Sequence, residues 1–159
     1  QEKIFSTLIK MKQSNKELII NHKAIDLYKI VLNIKEYPEY IPWCKEIQIL
    51  NKKNNKITAN MIVEYKLLPS QTFTSNVYFN SKKLIIKTDY TEGPLKNLKT
   101  IWNFINISNK KSKVLFNLEF EFENFFHQKL AELFYPLIED KMINSFIIRA
   151  DRILNLFFN

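Results

Sequence analysis

The chain has 159 residues, of which 46% are hydrophobic and 25% are charged, so we expect one folded domain over residues 1–159 rather than a disordered chain. Its one glycine excludes glycine-rich phosphate-binding loops, and its one cysteine and two histidines exclude an internal disulfide and the common zinc motifs. We therefore expect neither a metal nor a cofactor, and the net charge of +8 favours anionic partners.

The first part of the sequence predicts a strand, a helix and a short proline-bounded segment. A strand is expected between residues 4 and 20, and residues 24–34 carry apolar side chains at helical spacing. Residues 37–43 read Tyr-Pro-Glu-Tyr-Ile-Pro-Trp, which predicts a short helix or turn between its two prolines.

Alternation of apolar and polar side chains predicts a series of strands in the middle of the chain. It is clearest in residues 114–122, where Val114, Phe116 and Leu118 share one face and Asn117 lies on the other. Further strands are expected at residues 45–51, 57–65, 71–79, 83–90 and 98–107. Their connections are short and polar, which is typical of antiparallel neighbours. We therefore expect a meander with one apolar face.

A long amphipathic helix is predicted over residues 125–158, with a kink at Pro136. It would be about 50 Å long, against roughly 30 Å for a nine-residue strand. A sheet with one apolar face can cover such a helix by curving around it. The predicted fold class is therefore α+β, with a curved antiparallel sheet of six to seven strands wrapped around a long C-terminal helix.

The aromatic content, which is 13 Phe, seven Tyr and two Trp, raises the question of a cavity. These side chains either fill a solid core or line a space between sheet and helix that would bind a hydrophobic ligand. The expected wall consists of Tyr40, Trp43, Met61, Val63, Phe73, Val77, Trp102, Phe104, Phe116, Phe120, Leu130, Leu133, Phe134, Leu137 and Met142.

Apolar residues on the predicted loops mark the expected mouth of that cavity. They are Ile41, Leu67, Leu68, Phe125 and Phe126. Lys45, Lys66 and Lys129 lie near them, so we expect peripheral contact with an anionic membrane surface. The alternative is that these apolar residues only cap turns.

Three polar residues have separate interpretations. His22 is expected to be a cap or a surface residue before the first helix, and Cys44 is expected to be a buried filler rather than a nucleophile. Arg149, near the end of the last helix, is expected to pair with an acid or to complement the helix dipole.

Several short segments occur in an order that is typical of one known family. They are residues 37–44, Thr74-Ser75, Gly93-Pro94-Leu95, Trp102-Asn103-Phe104, Phe120-Glu121-Phe122 and residues 146–150. Over about residues 16–155 the sequence resembles the coenzyme Q-binding START-like proteins of the polyketide cyclase/dehydrase-like superfamily, whose bacterial relatives include ribosome-association toxins. It departs from their pattern at Glu64, Tyr65 and Pro136.

The resemblance implies a helix-grip fold of the START/Bet v 1 type. It implies ubiquinone, a polyprenyl quinone, or another lipid as the bound ligand of a non-enzymatic chaperone in respiratory electron transport and coenzyme Q biosynthesis. The implied location is the matrix side of the mitochondrial inner membrane, with the bacterial cytoplasm as the alternative.

Two other functions fit parts of the sequence. A ribosome-associated, RNA-binding regulator would use the net charge of +8 instead of the cavity. Arg149 and Arg152 are the only arginines, so specific DNA recognition is not expected. A cyclase or hydrolase would need an acid/base set in the cavity, and its candidates, Ser75, Tyr65 and Tyr90, do not form one.

Overall fold

The computed structural model of the protein describes residues 12–65, 69–122 and 137–155. Within these ranges, seven strands form one antiparallel sheet in the order β1-β7-β6-β5-β4-β3-β2, a meander to which β1 is added beside β7. The strands are β1 (Lys12–Ile20), β2 (Cys44–Lys53), β3 (Lys56–Val63), β4 (Gln71–Asn80), β5 (Ile85–Glu92), β6 (Leu95–Ser108) and β7 (Lys111–Phe122).

The helices cover one face of the sheet. They are α1 (Ala24–Leu32), a 3-10 turn (Ile34–Glu36), α2 (Tyr37–Tyr40), a π-helical segment (Leu137–Met142) and α3 (Ile143–Asn155). In α1 the buried residues Ala24, Leu27, Tyr28 and Val31 follow the spacing of one helix face, and α1 packs on α3, β6 and β7.

The inner face of the sheet is apolar because the side chains alternate along each strand. In β7, Val114, Phe116, Leu118 and Phe120 are buried, whereas Asn117 between them is exposed. The register places Trp102 of β6 opposite Phe116, and their ring centroids lie 4.4 Å apart. The core therefore lies between this face and the helices. The predicted α+β fold, a curved sheet with a C-terminal helix, is confirmed.

Two predicted elements differ from the described structure in detail. The strand predicted at 83–90 begins at Ile85, because Leu84 has a φ of 54° and Asn80 Oδ1 accepts hydrogen bonds from the backbone N–H groups of Lys82 and Lys83. Of the predicted C-terminal helix, the described residues 137–142 form a wider π-helical turn and Ile143–Asn155 form an α-helix. The rest of that prediction, including Pro136, falls outside the described residues.

His22 joins three parts of the fold. The prediction of a capping or surface histidine is wrong, since the N-cap residue of α1 is Lys23 and the His22 side chain is buried, with its Nε2 2.6 Å from Asp151 Oδ1 of α3. The hydroxyl group of Ser112, in β7, donates a hydrogen bond to the backbone carbonyl of His22. These contacts fix the start of α1 to both the sheet and α3. In the three described ranges, no helix is both long and apolar enough to cross a membrane.

Candidate ligand-binding cavity

A cavity of about 180 Å³ lies between the inner face of the sheet and the helices. Within the described residues, most of its wall is apolar and comes from α1, the segment before β2, the six strands β2–β7 and the C-terminal helical region. The apolar lining is Val31, Ile34, Tyr37, Trp43, Ile47, Ala59, Met61, Val63, Phe73, Val77, Ile86, Leu98, Trp102, Leu118, Met142 and Phe146. The hydroxyl residues Ser75, Thr88 and Thr100 complete it.

Small side chains explain why the space is open at this position. Ala59 and Ser75 face each other across β3 and β4, and Thr88 faces Thr100 across β5 and β6. Further along the inner face, large side chains of β7 fill the interior instead. Phe116 and Phe120 are fully buried there.

The volume of the cavity limits the size of the ligand that it can hold. An apolar cavity of roughly 150 Å³ admits a benzene ring, and pockets for drug-sized ligands measure about 300–1,000 Å³. A cavity of about 180 Å³ therefore has room for one substituted ring or a short branched chain. A long polyprenyl chain would not fit within it.

The structure brings seven of the predicted wall residues to the cavity. They are Trp43, Met61, Val63, Phe73, Val77, Trp102 and Met142. Their role in binding a ligand stays a prediction. Leu130, Leu133 and Phe134 fall outside the described residues, and only the backbone of Leu137 is described.

Four predicted wall residues lie elsewhere. Phe116 and Phe120 belong to the packed core, and Phe104 lines a separate void of about 20 Å³ between α1, α3 and the sheet. Tyr40 packs its ring against Tyr37 and Phe146, outside the cavity lining. Side-chain alternation identified the inner face of the sheet correctly, but it could not show which inward side chains touch one another and which border the open space.

Of the five residues predicted to form the mouth of the cavity, the structure describes Ile41 alone. Ile41 is 3% exposed and is part of the core, so the prediction that it contacts a membrane is wrong for this conformation. Its burial follows from the short α2, which ends at Tyr40 and directs the next residue inward. Leu67, Leu68, Phe125 and Phe126 fall outside the described residues.

Thr88 and Thr100 line the cavity although the apolar pattern of the sequence does not predict them there. A pattern of apolar side chains alone does not register a threonine. A usable signal was present, since Thr88 shares its parity with the apolar Ile86 and Thr100 shares its parity with Leu98 and Trp102. Residues of equal parity face the same side of a strand.

One cation fixes the segment next to the cavity. Arg149 of α3 is 15% exposed, and its Nη2 donates to Glu39 Oε2 at 2.9 Å and to Glu36 Oε2 at 3.1 Å. Its guanidinium carbon lies 5.0 Å from the centre of the Tyr40 ring. The expectation that Arg149 pairs with an acid is confirmed. The pairing connects α3 to the 3-10 turn and α2.

Burial raises the pKa of three weakly acidic side chains in and beside this segment. It raises the pKa of Tyr37 well above its usual value, with smaller effects from Tyr40 and Cys44, and it is also the main cause of the raised pKa of Tyr40. The Tyr37 hydroxyl group donates to the backbone carbonyl of Val31. Burial raises the pKa of Cys44 to about 11. None of these three groups supplies a base at neutral pH.

Comparison with known proteins identifies the family. The profile of the polyketide cyclase/dehydrase and lipid transport family matches residues 20–147. The chain belongs to this family. The resemblance found in the sequence is thereby confirmed, and the cavity lies within the matched residues.

Curated proteins to which the chain is similar carry more than one kind of name. The ribosome association toxin RatA of Rickettsia prowazekii is 27% identical over 139 residues, which cover 86% of this chain and 94% of the relative. The mitochondrial coenzyme Q-binding protein COQ10 of Drosophila melanogaster is 29% identical over 143 residues. That alignment covers 86% of this chain and 57% of the relative.

Solved structures support the fold assignment within the family. The Zhui aromatase/cyclase from Streptomyces sp. R1128 superposes with a TM-score of 0.78, covering 90% of this chain and 95% of that chain. Its sequence is 13% identical, so the comparison establishes the shared fold alone.

Proposed function

We propose that this protein is a non-enzymatic carrier that binds the ring of ubiquinone in its cavity. The observation that carries the proposal is the largely apolar cavity of about 180 Å³ between sheet and helices, which has the size of one substituted ring. The similarity to a protein named as a mitochondrial coenzyme Q-binding protein supports this choice of ligand. The proposed location is accordingly the matrix side of the mitochondrial inner membrane, with peripheral contact to its lipids.

The energetics of the ligand explain why it needs a carrier. Burying one methylene group is worth about 0.8 kcal/mol, so exposing a five-carbon isoprene unit to water costs about 4 kcal/mol. A protein that covers the ring and the first part of the tail therefore lowers the cost of leaving the bilayer. The rest of a long tail needs another cover, which a membrane surface at the cavity mouth can provide.

The chemistry of the wall favours binding over catalysis. Among the described lining residues, the polar side chains are hydroxyl and indole groups, and the Tyr37 hydroxyl group is bonded to Val31. General acid–base catalysis needs a group whose pKa lies near the working pH. No carboxyl, imidazole or amino group lines the described wall. We therefore propose that the ligand is bound without being converted.

A quinone titration tests the proposal. Decyl-ubiquinone should quench the fluorescence of Trp43 and Trp102, which line the cavity, in a saturable one-to-one manner. Replacing Ala59 by Phe fills the cavity and should abolish this quenching, provided that the variant keeps its cooperative thermal transition.

Ile62→Phe is the matched control, because Ile62 lies on the outer face of the same strand. It should bind the quinone as the wild type does. Equal quenching of the wild type and the Ala59→Phe variant would contradict the proposal, and so would a wild type that shows no saturable quenching.

A second candidate function is ribosome association, which one surface favours. Alternate hairpins of a meander turn at the same end of the sheet, so the β2–β3, β4–β5 and β6–β7 turns lie together. They carry Lys52, Lys53, Lys56, Lys82, Lys83, Lys110 and Lys111, which we term the lysine edge. The segments 51–56, 80–84 and 108–111 contain no Asp or Glu.

The two ends of the sheet differ in whether their lysines form ion pairs. At the opposite end, Lys45 lies 2.7 Å from Glu64 and Lys96 lies 3.1 Å from Glu121. Among the described residues, no ion pair involves the lysine edge. Unpaired lysines at one end suit an RNA phosphate backbone. Similarity to proteins named as ribosome association toxins supports the same partner.

Co-sedimentation with ribosomal particles over a range of KCl concentrations tests this second function. Each phosphate contact contributes about −0.9 to the slope of log affinity against log salt on duplex nucleic acid. The triple variant Lys52→Gln, Lys82→Gln and Lys110→Gln should therefore flatten the slope by about 2 to 3. The control variant Lys45→Gln and Lys96→Gln should leave it unchanged. Equal slopes in all three proteins would reject the lysine edge as the binding surface.

A further inference from the structure

Three hydroxyl side chains interrupt the apolar wall on three consecutive strands. Ser75 of β4, Thr88 of β5 and Thr100 of β6 are half-buried and line the cavity. Their neighbours of the same parity on each strand are apolar, such as Val77, Ile86 and Trp102. The three hydroxyl residues are therefore a local polar feature of the inner face.

The sheet register places the three residues side by side. Thr88 and Thr100 are directly opposite in the antiparallel β5–β6 pair, which sets their Cβ atoms about 5 Å apart. Thr88 is also opposite Val77, and Ser75 is two residues before Val77, so Ser75 is a diagonal neighbour of Thr88 at about 7 Å. The three side chains form a row across the middle of the sheet, which we term the hydroxyl row.

The hydroxyl row lacks the hydrogen-bond partners that comparable side chains have. On the outer face, Thr58 Oγ1 donates to Asn76 Oδ1 and Thr74 Oγ1 donates to Asn60 Oδ1, both at 2.7 Å. In the described part of the chain, the side chains of the hydroxyl row make no hydrogen bond, although each hydroxyl group is both a donor and an acceptor. Hydroxyl groups that border an apolar space without a partner are unfavourable, so a ligand that accepts from them would gain affinity.

We propose that the hydroxyl row receives the oxygen atoms of the ligand's ring, so that the ligand enters ring first and its hydrocarbon tail leaves along the apolar wall. This inference rests on the proposed function. Neighbouring hydroxyl donors suit a ring that carries carbonyl or ether oxygens on adjacent carbons, as a dimethoxyquinone does. The apolar Met61, Val63 and Phe73 lie between the hydroxyl row and the end of the sheet where β3 ends, and they line the path of the tail.

Two probes of similar shape separate the hydroxyl row from the apolar cavity. Decyl-ubiquinone carries ring oxygens, whereas decylbenzene has the same tail on a ring without oxygens. Calorimetric titration of the double variant Thr88→Val and Thr100→Val, which keeps the side-chain shape, should show quinone affinity reduced about tenfold or more, as expected for two lost hydrogen bonds. The affinity for decylbenzene should change less than about twofold. Ser75→Ala should have a smaller effect in the same direction.

The control is Thr72→Val, since Thr72 is exposed on the outer face of β4. It should bind both probes as the wild type does. Unchanged quinone affinity in the Thr88→Val and Thr100→Val variant would overturn the inference and leave the proposed function standing. An equal loss of both probes would also overturn it, because shape rather than hydrogen bonding would then decide affinity. A wild-type protein that binds neither probe would instead contradict the proposed function.

Discussion

At the scale of single residues, burial decides the chemistry of the side chains around the cavity. Cys44 is 3% exposed, and desolvation raises its pKa from the ordinary 9.0 to about 11. The folded state therefore keeps the thiol proton between about pH 9 and 11, where the unfolded chain has lost it. Stability due to this difference is fully present below pH 9 and is lost as the pH rises towards 11.

Alkylation with iodoacetamide should reveal this shift, because only the thiolate reacts. The rate for the native protein should keep rising with pH and reach half of its maximum near pH 11. The same chain unfolded in urea serves as the control and should reach half of its maximum near pH 9. Coincident pH profiles for the native and unfolded chains would show that Cys44 is not desolvated.

The Arg149 cluster gives a second prediction at this scale. Arg149→Lys should lower the free energy of unfolding by about 1–2 kcal/mol, because an ammonium group cannot place a flat guanidinium face over the Tyr40 ring while it donates to both carboxylates. The partial exposure of Glu36 and Glu39 keeps the effect modest. Urea denaturation measures it, with the exposed Arg152→Lys of the same helix as the control. Equal losses in the two variants would contradict a special role for Arg149.

At the scale of elements, the turn between β5 and β6 depends on the single glycine of the chain. Gly93 has a φ of 143°, and a Cβ atom at this position would lie 2.7 Å from the carbonyl oxygen of Thr72. Both the backbone conformation and the adjacent backbone atom therefore exclude a side chain. The turn brings the start of β6 to Tyr90 of β5, whose hydroxyl group donates to the carbonyl of Leu95 at 2.7 Å.

Gly93→Ala should therefore destabilise the protein by about 1–3 kcal/mol, the usual cost of a strained backbone at one residue. Thermal and urea unfolding measure the change. Ser81→Ala, in the exposed β4–β5 turn, is the control and should have little effect. A Gly93→Ala variant as stable as the control would mean that the turn can adopt another conformation without cost.

The elements also show how much the sequence could predict. Alternation located the strands from residue 45 to residue 122 because each strand has one dry face, and the short connections indicated the meander. The sequence does not reveal that Leu84 lies in a turn or that the helix at residues 137–142 is of the π type, because a left-handed turn residue and a π-helical turn leave no periodic signal. The salt bridges of Arg149 to Glu36 and Glu39 join residues more than 100 positions apart, so their partners could not be identified from the sequence.

At the scale of the whole molecule, one sheet carries both an apolar cavity on its inner face and a row of lysines at one end. The cavity lies among inward side chains, and the lysine edge lies at the tips of three hairpins. The sequence predicted an apolar space, since 14% of the chain is aromatic, but it did not predict its size or its hydroxyl row. Both depend on which side chains meet across the sheet, as Phe116 meets Trp102 and Thr88 meets Thr100.

The central claim is that the cavity holds an apolar ligand, and the lipid that accompanies the purified protein tests it most directly. Protein purified without detergent is extracted with organic solvent, and the extract is quantified by mass spectrometry. We expect about one equivalent of a short-tailed quinone, or of another lipid whose ring or short chain fits the cavity, in the wild type and none in the Ala59→Phe variant. A lipid-free wild type, or equal lipid in both proteins, would contradict the account.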